Sequence, residues 1–275
     1  LFSGSVCMAK FKLTHYQITS DKLSKLEKER KLLFLTDLHN NCYGTDNEQL
    51  LKAMVAQKPD AILIGGDMLV GKAGHSMDVA RRLIIKMVDI CPVYYANGNH
   101  EQRMKAYPDV YGTDIVGYQE ELINCGVIFL ENSFAKLKLD NCEMQIYGLD
   151  IPMKYYKKFK KLHFPLEEMK TCLQQTDSEH FQILLAHNPL YVDTYLKWGA
   201  DLILCGHLHG GVARVPGIGG VITPQFHLFP KYSGEHTIEG DASVVVSKGL
   251  GTHTIPFRIM NPAELVVLHL NPKKN

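Results

Sequence analysis

The sequence predicts an α/β protein in which two mixed β-sheets pack face to face, with helices on the outer surfaces. In the first half, short apolar runs alternate with segments of helical periodicity, which is typical of strands joined by helices. The second half holds strand patterns separated by a hairpin turn, with a single predicted helix. At 275 residues, with 45% hydrophobic and 21% charged residues, the chain is long enough to bury such a core.

We expect one domain over residues 1–275, because the sequence shows no internal repeat, low-complexity tract or linker. Residues 1–30 would form an N-terminal strand, over 11–19, and a charged connection. Residues 31–270 would form the core of the domain.

The first half carries three predicted helices. Asp46 is placed to cap the first, with Gln49 at the reciprocal position of a capping box. The apolar face of this helix would consist of Leu50, Leu51, Met54 and Val55. A second helix is predicted over 77–89, and a third ends near Gly126, the residue type that commonly follows a helix.

The second half begins with three short strand patterns, the last two joined by the turn Asp140-Asn141. The single predicted helix covers residues 166–175. The predicted strands of this half are 127–130, 134–139, 144–147, 181–185, 202–204, 243–247 and 265–270.

Polar side chains follow five of the buried apolar runs, at the ends where open α/β sheets place their sites. Seven of them are candidate metal ligands: Asp37, His39, Asp67, Asn99, His187, His207 and His209. Taken one at a time, these residues could simply cap strand ends or form turns, and His187 could be a packed histidine. Five clusters in one chain instead indicate a site for two metal ions.

Two divalent cations held about 3.5–4 Å apart need a ligand that contacts both, and a carboxylate suits that position. Asp67 is the predicted bridge, because the preceding Gly-Gly turn allows a close approach. If the backbone stays extended, Asp37 and His39 share one face, and so do His207 and His209. This N and O donor set favours Mn²⁺, with Fe or Zn²⁺ as alternatives.

Two such cations can convert a bridging water into a hydroxide that attacks phosphorus in line. His100 directly follows a predicted ligand and is our candidate to protonate the leaving oxygen. The rival interpretation is that His100 is itself a metal ligand.

The ordered motifs Asp-x-His, Gly-Asp, Gly-Asn-His-Glu, a single His and Gly-His-x-His resemble those of the calcineurin-like metallophosphoesterase superfamily over about residues 31–270. This resemblance implies a four-layer α/β/β/α sandwich. It also implies that Asp37, His39, Asp67 and His209 hold one metal ion. Asp67, Asn99, His187 and His207 would hold the other.

The stretches 206–211, 230–232, 247–251 and 262–264, with Arg258, resemble one bacterial branch of this superfamily. That branch contains phosphodiesterases and UDP-diacylglucosamine pyrophosphatase-like enzymes, and is often tethered to the inner membrane by an N-terminal helix. Residues 212–214 and 262–263 depart from its usual pattern.

We therefore expect a binuclear metal-dependent phosphoesterase that hydrolyses a phosphodiester or pyrophosphate bond, on a lipid-linked or nucleotide-sugar substrate. The alternatives are a soluble phosphomonoesterase acting on nucleotides or phosphoproteins, and a metal-free scaffold. Seven cysteines without a Cys-x-x-Cys pair indicate a reducing compartment, so we expect a cytoplasmic location, at the inner membrane face if an N-terminal anchor has been removed.

A net charge of +1 gives no support for a nucleic-acid partner. The lysines between 154 and 161, interleaved with aromatic residues, could form a cap that contacts anionic lipid or a substrate phosphate, or could be a solvated helix face. The sequence leaves the oligomeric state open.

Overall fold

The computed structural model describes residues 10–112, 114–157, 162–173, 176–211, 214–215, 219–220, 230–252, 258 and 260–273. The strands are β1 (Lys12–Ser20), β2 (Arg30–Leu35), β3 (Ala61–Ile64), β4 (Val93–Ala96), β5 (Ile128–Leu130), β6 (Ser133–Leu139), β7 (Cys142–Leu149), β8 (Phe181–Ala186), β9 (Leu202–Cys205), β10 (Arg214–Val215), β11 (Gly219–Gly220), β12 (His236–Glu239), β13 (Ala242–Val246) and β14 (Glu264–Pro272). The helices are α1 (Glu48–Gln57), α2 (Asp78–Val88), α3 (Asn99–Ala106), α4 (Pro108–Tyr111), α5 (Ile115–Asn124), α6 (Leu166–Cys172) and α7 (Val192–Trp198).

The strands form two six-stranded mixed sheets and a small two-stranded ribbon. The first sheet has the order β1-β14-β2-β3-β4-β5, and its four strands from β2 to β5 run parallel. The second has the order β12-β13-β9-β8-β7-β6, with parallel strands in the middle and an antiparallel strand at each edge. The ribbon pairs β10 with β11. The predicted fold class is confirmed.

The two sheets pack face to face around a shared apolar core. Phe34 and Leu63 of the first sheet and Ile183 and Leu204 of the second belong to one cluster and are fully buried. A second cluster joins the first sheet to α1, α2 and α5, and a third joins the second sheet to α6 and α7. Burial of one large apolar side chain stabilises a fold by about 1.5–3 kcal/mol, so these three clusters stabilise the packing of sheets and helices.

The first helix differs from its prediction. Helix α1 begins at Glu48, and its first turn is preceded by Asn47 in a left-handed conformation that makes no side-chain cap. The predicted cap, Asp46, instead pairs with Arg82 of α2 at 2.8 Å and with Lys86. Of the predicted apolar face, Leu50 and Met54 are buried but Val55 is 55% exposed. The ion pairs with α2 therefore replace the predicted capping box.

The prediction of a single helix in the second half is wrong, because α7 follows α6. Helix α7 begins after a turn in which the Asn188 side chain accepts a hydrogen bond from the Leu190 N–H. Its seven residues bury Tyr195 and Trp198 against the second sheet. So short a segment shows little periodicity, which is why the sequence pattern did not indicate it.

The hairpin prediction at Asp140-Asn141 is confirmed, since β6 and β7 pair antiparallel on either side of it. Cys125 and Cys205 both lie in or beside apolar runs, which predicts that they are core residues. Cys205 is buried, but Cys125 is exposed. Within the described part of the chain, no helix is long and apolar enough to cross a bilayer.

Candidate metal centre

The seven predicted ligands follow strands of both sheets, at the ends where the parallel strands stop. Asp37 and His39 follow β2, Asp67 follows β3, and Asn99 begins the helix after β4. His187 follows β8 of the second sheet, and His207 and His209 follow β9. The fold therefore brings segments more than 160 residues apart in sequence to one edge of the sandwich.

The potential ligand atoms of the histidines and aspartates form closely spaced groups, in each of which all atoms lie within 4.8 Å of one another. One group contains Asp37, His39 and His209. A second contains Asp67, His187 and His207, and a third contains His39, Asp67 and His100. The first two groups contain different residues, which is the arrangement required for two ions.

Two histidines connect the two carboxylates. His187 Nε2 lies 3.1 Å from Asp67 Oδ2 and 3.8 Å from Asp37 Oδ1. His39 Nε2 lies 3.9 Å from the same Asp67 oxygen and 3.8 Å from the same Asp37 oxygen. The two groups are thus halves of one centre.

The buried carboxylates strongly perturb each other and their histidine neighbours. Burial raises the pKa of Asp37 to about 6, despite the opposing effect of His187. Burial opposes ionisation of Asp67 too, but His187 and His100 hold its pKa well below the usual range. Burial also tends to lower the pKa of His187, yet Asp67 and Asp37 raise it to about 10. Such concentrated negative charge in a buried site is well suited to binding cations.

Three of the histidines are oriented by backbone carbonyls. The Nδ1 atoms of His39, His187 and His209 lie 3.1, 2.7 and 3.2 Å from the carbonyl oxygens of Leu69, Gly65 and Gly251 respectively. A carbonyl can only accept, so each Nδ1 carries the proton and donates it. In the neutral ring, Nε2 is then the atom left to bind a cation, as in a metal-ligating histidine. Without a cation, the raised pKa of His187 keeps a proton on its Nε2 as well.

His100 has the opposite arrangement. The Gly71 N–H donates to His100 Nδ1 at 2.6 Å, so Nδ1 is an acceptor. The proton of a neutral His100 ring must then reside on Nε2, which lies 3.9 Å from Asp67 Oδ2. This tautomer makes Nε2 a donor rather than a metal ligand.

The prediction of an extended backbone at Asp-x-His and His-x-His is wrong. Asp37 and His39 have φ angles of 54° and 47°, and His207 and His209 have φ angles of 68° and 50°. All four lie in the left-handed region, as does Asp67 at 53°. Left-handed non-glycine residues are uncommon and cost free energy, and they concentrate at functional sites. Turns after the strands, rather than strand alternation, bring these side chains together.

Backbone N–H groups hold the two carboxylates in place. The His207 N–H donates to Asp37 Oδ2 at 3.1 Å, and the His100 N–H donates to Asp67 Oδ1 at 2.8 Å. The position before Asp67 requires glycine, but the reason differs from the predicted close approach to the metals. The reason is that two loops pack against each other there. Gly66 has φ +90°, and a Cβ there would lie 2.1 Å from the Gly98 nitrogen.

Glu101 is a positioning residue that the sequence analysis did not single out, although its motif was noted. Its buried carboxylate accepts hydrogen bonds from the N–H groups of Asp67, Leu69 and Gly98, at 2.9, 3.1 and 3.0 Å. Tyr95 Oη donates to it at 3.1 Å. Glu101 thereby fastens the loop that carries Asp67 to the loop that carries Asn99.

Residues of the later motifs hold in place a loop that packs against Asp37. The guanidinium of Arg258 donates to the carbonyls of Lys248 at 2.7 Å and Gly249 at 3.1 Å. Glu264 accepts from the Lys248 N–H at 2.9 Å and pairs with its Nζ at 2.5 Å. A Cβ at Gly249 would lie 2.7 Å from the Asp37 Cβ, so these contacts hold the loop tightly against Asp37.

The residues present fit divalent cations. Asn99 Oδ1 is buried and makes no hydrogen bond within the described part of the chain. A buried amide oxygen without a partner is costly unless an ion or water satisfies it. All the grouped donors are nitrogen or oxygen atoms, which suits Mn²⁺, Fe or Zn²⁺.

Part of the lysine cluster, at residues 158, 160 and 161, lies outside the described residues, as do residues 212–213. Two loop histidines whose glycine- and proline-containing surroundings could place them at the rim of the site, His227 and His253, lie outside the described residues as well. Within the described part of the lysine cluster, the Lys154 Nζ lies 2.8 Å from a carboxylate oxygen of Glu168 in α6.

Comparison with known proteins adds family information to this geometry. The family model described as calcineurin-like phosphoesterase matches residues 30–211. The phosphodiesterase YaeI of Escherichia coli is 25% identical over 228 residues, which is 81% of this chain and 75% of that protein. A "transmembrane protein with metallophosphoesterase domain" from Danio rerio is 27% identical over 263 residues. That match covers 92% of this chain but only 56% of the relative's length.

Among solved structures, the sulfate thiohydrolase SoxB from Thermus thermophilus aligns with a TM-score of 0.50 at 13% identity. The alignment covers 88% of this chain and 56% of that protein. At this identity the match shows a shared fold.

Proposed function

The chain belongs to the calcineurin-like phosphoesterase family, and we propose that it hydrolyses phosphodiester or pyrophosphate bonds with the help of two divalent cations. Its class, a metal-dependent phosphoesterase, follows from the family match and the buried histidine–aspartate cluster. The observation that carries the proposal is the position of Asp67. Its carboxylate lies within 3.9 Å of the imidazoles of His39, His100 and His187, between the two ligand groups.

We assign Asp37, His39, Asp67 and His209 to one ion, and Asp67, Asn99, His187 and His207 to the other. This division is supported by the two ligand groups that share no residue, Asp37, His39, His209 and Asp67, His187, His207. The buried, unpartnered Asn99 oxygen supports Asn99 as the fourth ligand of the second ion. Bound there, two such cations supply Lewis acidity and lower the pKa of the water that attacks phosphorus. Mn²⁺ is our first candidate, with Fe or Zn²⁺ as alternatives.

His100 would supply the proton for the leaving oxygen. The Gly71 N–H at Nδ1 leaves the proton on Nε2, the atom that faces Asp67 and the centre. A donor in this position can stabilise the charge that develops on the departing alcohol. Glu101 keeps the Asp67 and Asn99 loops at a fixed distance, so the donor and the ligands stay in register.

A preference for diesters is supported by the similarity to the phosphodiesterase YaeI. We further propose a lipid-linked or nucleotide-sugar substrate and a place at the inner face of the cytoplasmic membrane. The name of the Danio rerio relative, a transmembrane protein, agrees with membrane association. We also propose that residues 1–275 act as one domain, because β1 pairs with β14 along its whole length and closes the first sheet.

The test compares a bis-ester and a mono-ester of one chromogenic alcohol, bis(p-nitrophenyl) phosphate and p-nitrophenyl phosphate, with Mn²⁺ supplied. We expect faster hydrolysis of the bis-ester by the wild type, and loss of both metal and turnover in Asp67→Ala. His163→Ala, at an exposed position, serves as the matched control. Preference for the mono-ester would favour a phosphomonoesterase, and retained turnover in Asp67→Ala would overturn the mechanism.

A further inference from the structure

Tyr156 lies beside the half of the centre formed by Asn99, His187 and His207. It ends a short 3₁₀ turn, Met153–Tyr156, that follows β7 and packs against α3. Helix α3 carries Asn99 and His100 at its start. The Tyr156 ring meets the His207 ring edge to face, with centroids 5.4 Å apart.

Tyr156 is only 7% exposed, and its buried hydroxyl has no hydrogen-bond partner among the described residues. The tyrosines around it differ in this respect. Tyr191 Oη donates to the Tyr155 carbonyl and Tyr195 Oη donates to the Asn188 carbonyl, both at 2.9 Å. A buried hydroxyl left unsatisfied costs free energy, so its retention at this position calls for a partner that the protein alone does not supply.

The Tyr156 hydroxyl can act as a donor. A tyrosine phenol carries its proton at neutral pH and so offers one O–H donor. Asp150 also presents a buried oxygen, Oδ1, without a partner in the described chain, while its Oδ2 accepts from Asn97 Nδ2 at 2.9 Å.

We propose that Tyr156 is a substrate-contacting residue whose O–H donates a hydrogen bond to a phosphoryl oxygen bound on the His187 and His207 side of the centre. The inference rests on the proposed function, since it needs a phosphoester in the site. A non-bridging phosphoryl oxygen is a strong acceptor, and it is anionic in a diester. A fixed neutral donor can approach it without the like-charge repulsion that a carboxylate would cause.

Tyr156→Phe tests this role, with Tyr94→Phe as the matched control. Tyr94 is also buried, but its Oη donates to the Lys136 carbonyl at 3.3 Å, within the core between the sheets. For Tyr156→Phe we expect unchanged metal content and a fall in kcat/KM on bis(p-nitrophenyl) phosphate of at least about tenfold, the loss typical of one hydrogen bond to a charged group. Binding of inorganic phosphate, measured by titration calorimetry, should weaken as well. Tyr94→Phe should stay close to wild type in both.

A stability measurement separates this role from a structural one. Because the Tyr156 hydroxyl has no partner to lose, Tyr156→Phe should leave the unfolding temperature of the metal-free protein unchanged or raised. Loss of metal or a clear fall in unfolding temperature would assign Tyr156 to support of His207 and overturn the inference. Wild-type turnover and phosphate affinity in Tyr156→Phe would overturn it as well. A wild type that hydrolyses neither ester would instead contradict the proposed function itself.

Discussion

The backbone N–H of Gly71 donates a 2.6 Å hydrogen bond to Nδ1 of His100. In His39, His187 and His209 the same ring atom faces a carbonyl and is the donor. The histidines of one centre are therefore in two tautomers, set by the backbone groups behind them. In their neutral forms, the proposed ligands thus leave Nε2 for a cation, whereas the proposed proton donor carries N–H on Nε2.

His100→Ala should retain the metal content of the wild type and lose turnover, since the ligand set is untouched. General acids contribute about 10²–10⁴-fold, so we expect a loss of that order on esters of poorly acidic alcohols. The loss should be smaller with p-nitrophenolate, which departs readily without a proton. The measurement is kcat across a series of leaving groups, together with elemental analysis. If His100→Ala instead loses an ion, His100 is a ligand and the tautomer argument is wrong.

Gly66→Ala should disrupt the centre through sterics alone. Gly66 has φ +90°, and its added Cβ would lie 2.1 Å from the Gly98 nitrogen, in the loop before Asn99. Gly74→Ala is the matched control, because Gly74 has φ +76° but nothing lies within 4 Å of an added Cβ. The conformational cost at positive φ, about 1 kcal/mol, is common to both variants. Gly66→Ala should lose roughly 2 kcal/mol more in urea unfolding, and equal losses would show that the loops are not in contact.

How much the sequence could predict differs between the positions of the ligands and the backbone that holds them. Asp37, Asp67 and His187 each follow an apolar run, and a buried parallel strand ends where its apolar run ends, so their location was predictable. The conformation of Asp37 and His39 was not, because the period-2 rule applies only within a strand. Strand β2 ends at Leu35, and the chain then enters a turn whose left-handed residues depend on contacts with distant loops.

The contribution of Glu101 was hidden for a similar reason. Its partners, the N–H groups of Asp67 and Leu69, are more than 30 residues away in sequence. A glutamate three residues into a helix is ordinarily a local cap, and the Gly98 N–H contact is that cap. The same carboxylate also ties down the neighbouring loop, which only the tertiary structure reveals.

Asp150 should make the stability of the metal-free protein fall as pH rises. Burial raises its pKa from 3.8 to about 7. The unfolded state then releases this proton near pH 4, whereas the folded state holds it until about pH 7. The contribution is therefore fully present below pH 4 and lost as pH rises to 7. Asp150→Asn, which stays neutral, should exceed the wild type by about 4 kcal/mol at pH 8 and match it at pH 4.

The measurement for Asp150 is urea unfolding in chelator across this pH range. Asp241→Asn, at an exposed turn, provides the control and should follow the wild type at every pH. A constant difference between Asp150→Asn and wild type from pH 4 to pH 8 would show that Asp150 ionises normally in the folded protein.

Variants that each lack one proposed ligand should lose different ions of the proposed pair. His209 belongs with Asp37 and His39, and its Nε2 lies 3.4 Å from Asp37 Oδ1, whereas His187 approaches Asp67 most closely. His209→Ala should therefore lose one of two ions and keep the other, because removal of one ligand typically weakens a site severely without altering its neighbour's ligands. His187→Ala should lose the opposite ion, and Asp67→Ala should lose both, since only Asp67 is assigned to both sites. Elemental analysis after dialysis against limiting Mn²⁺ counts the ions, with His163→Ala as control. Two ions retained in His209→Ala, or one retained in Asp67→Ala, would contradict a shared carboxylate and require separate sites.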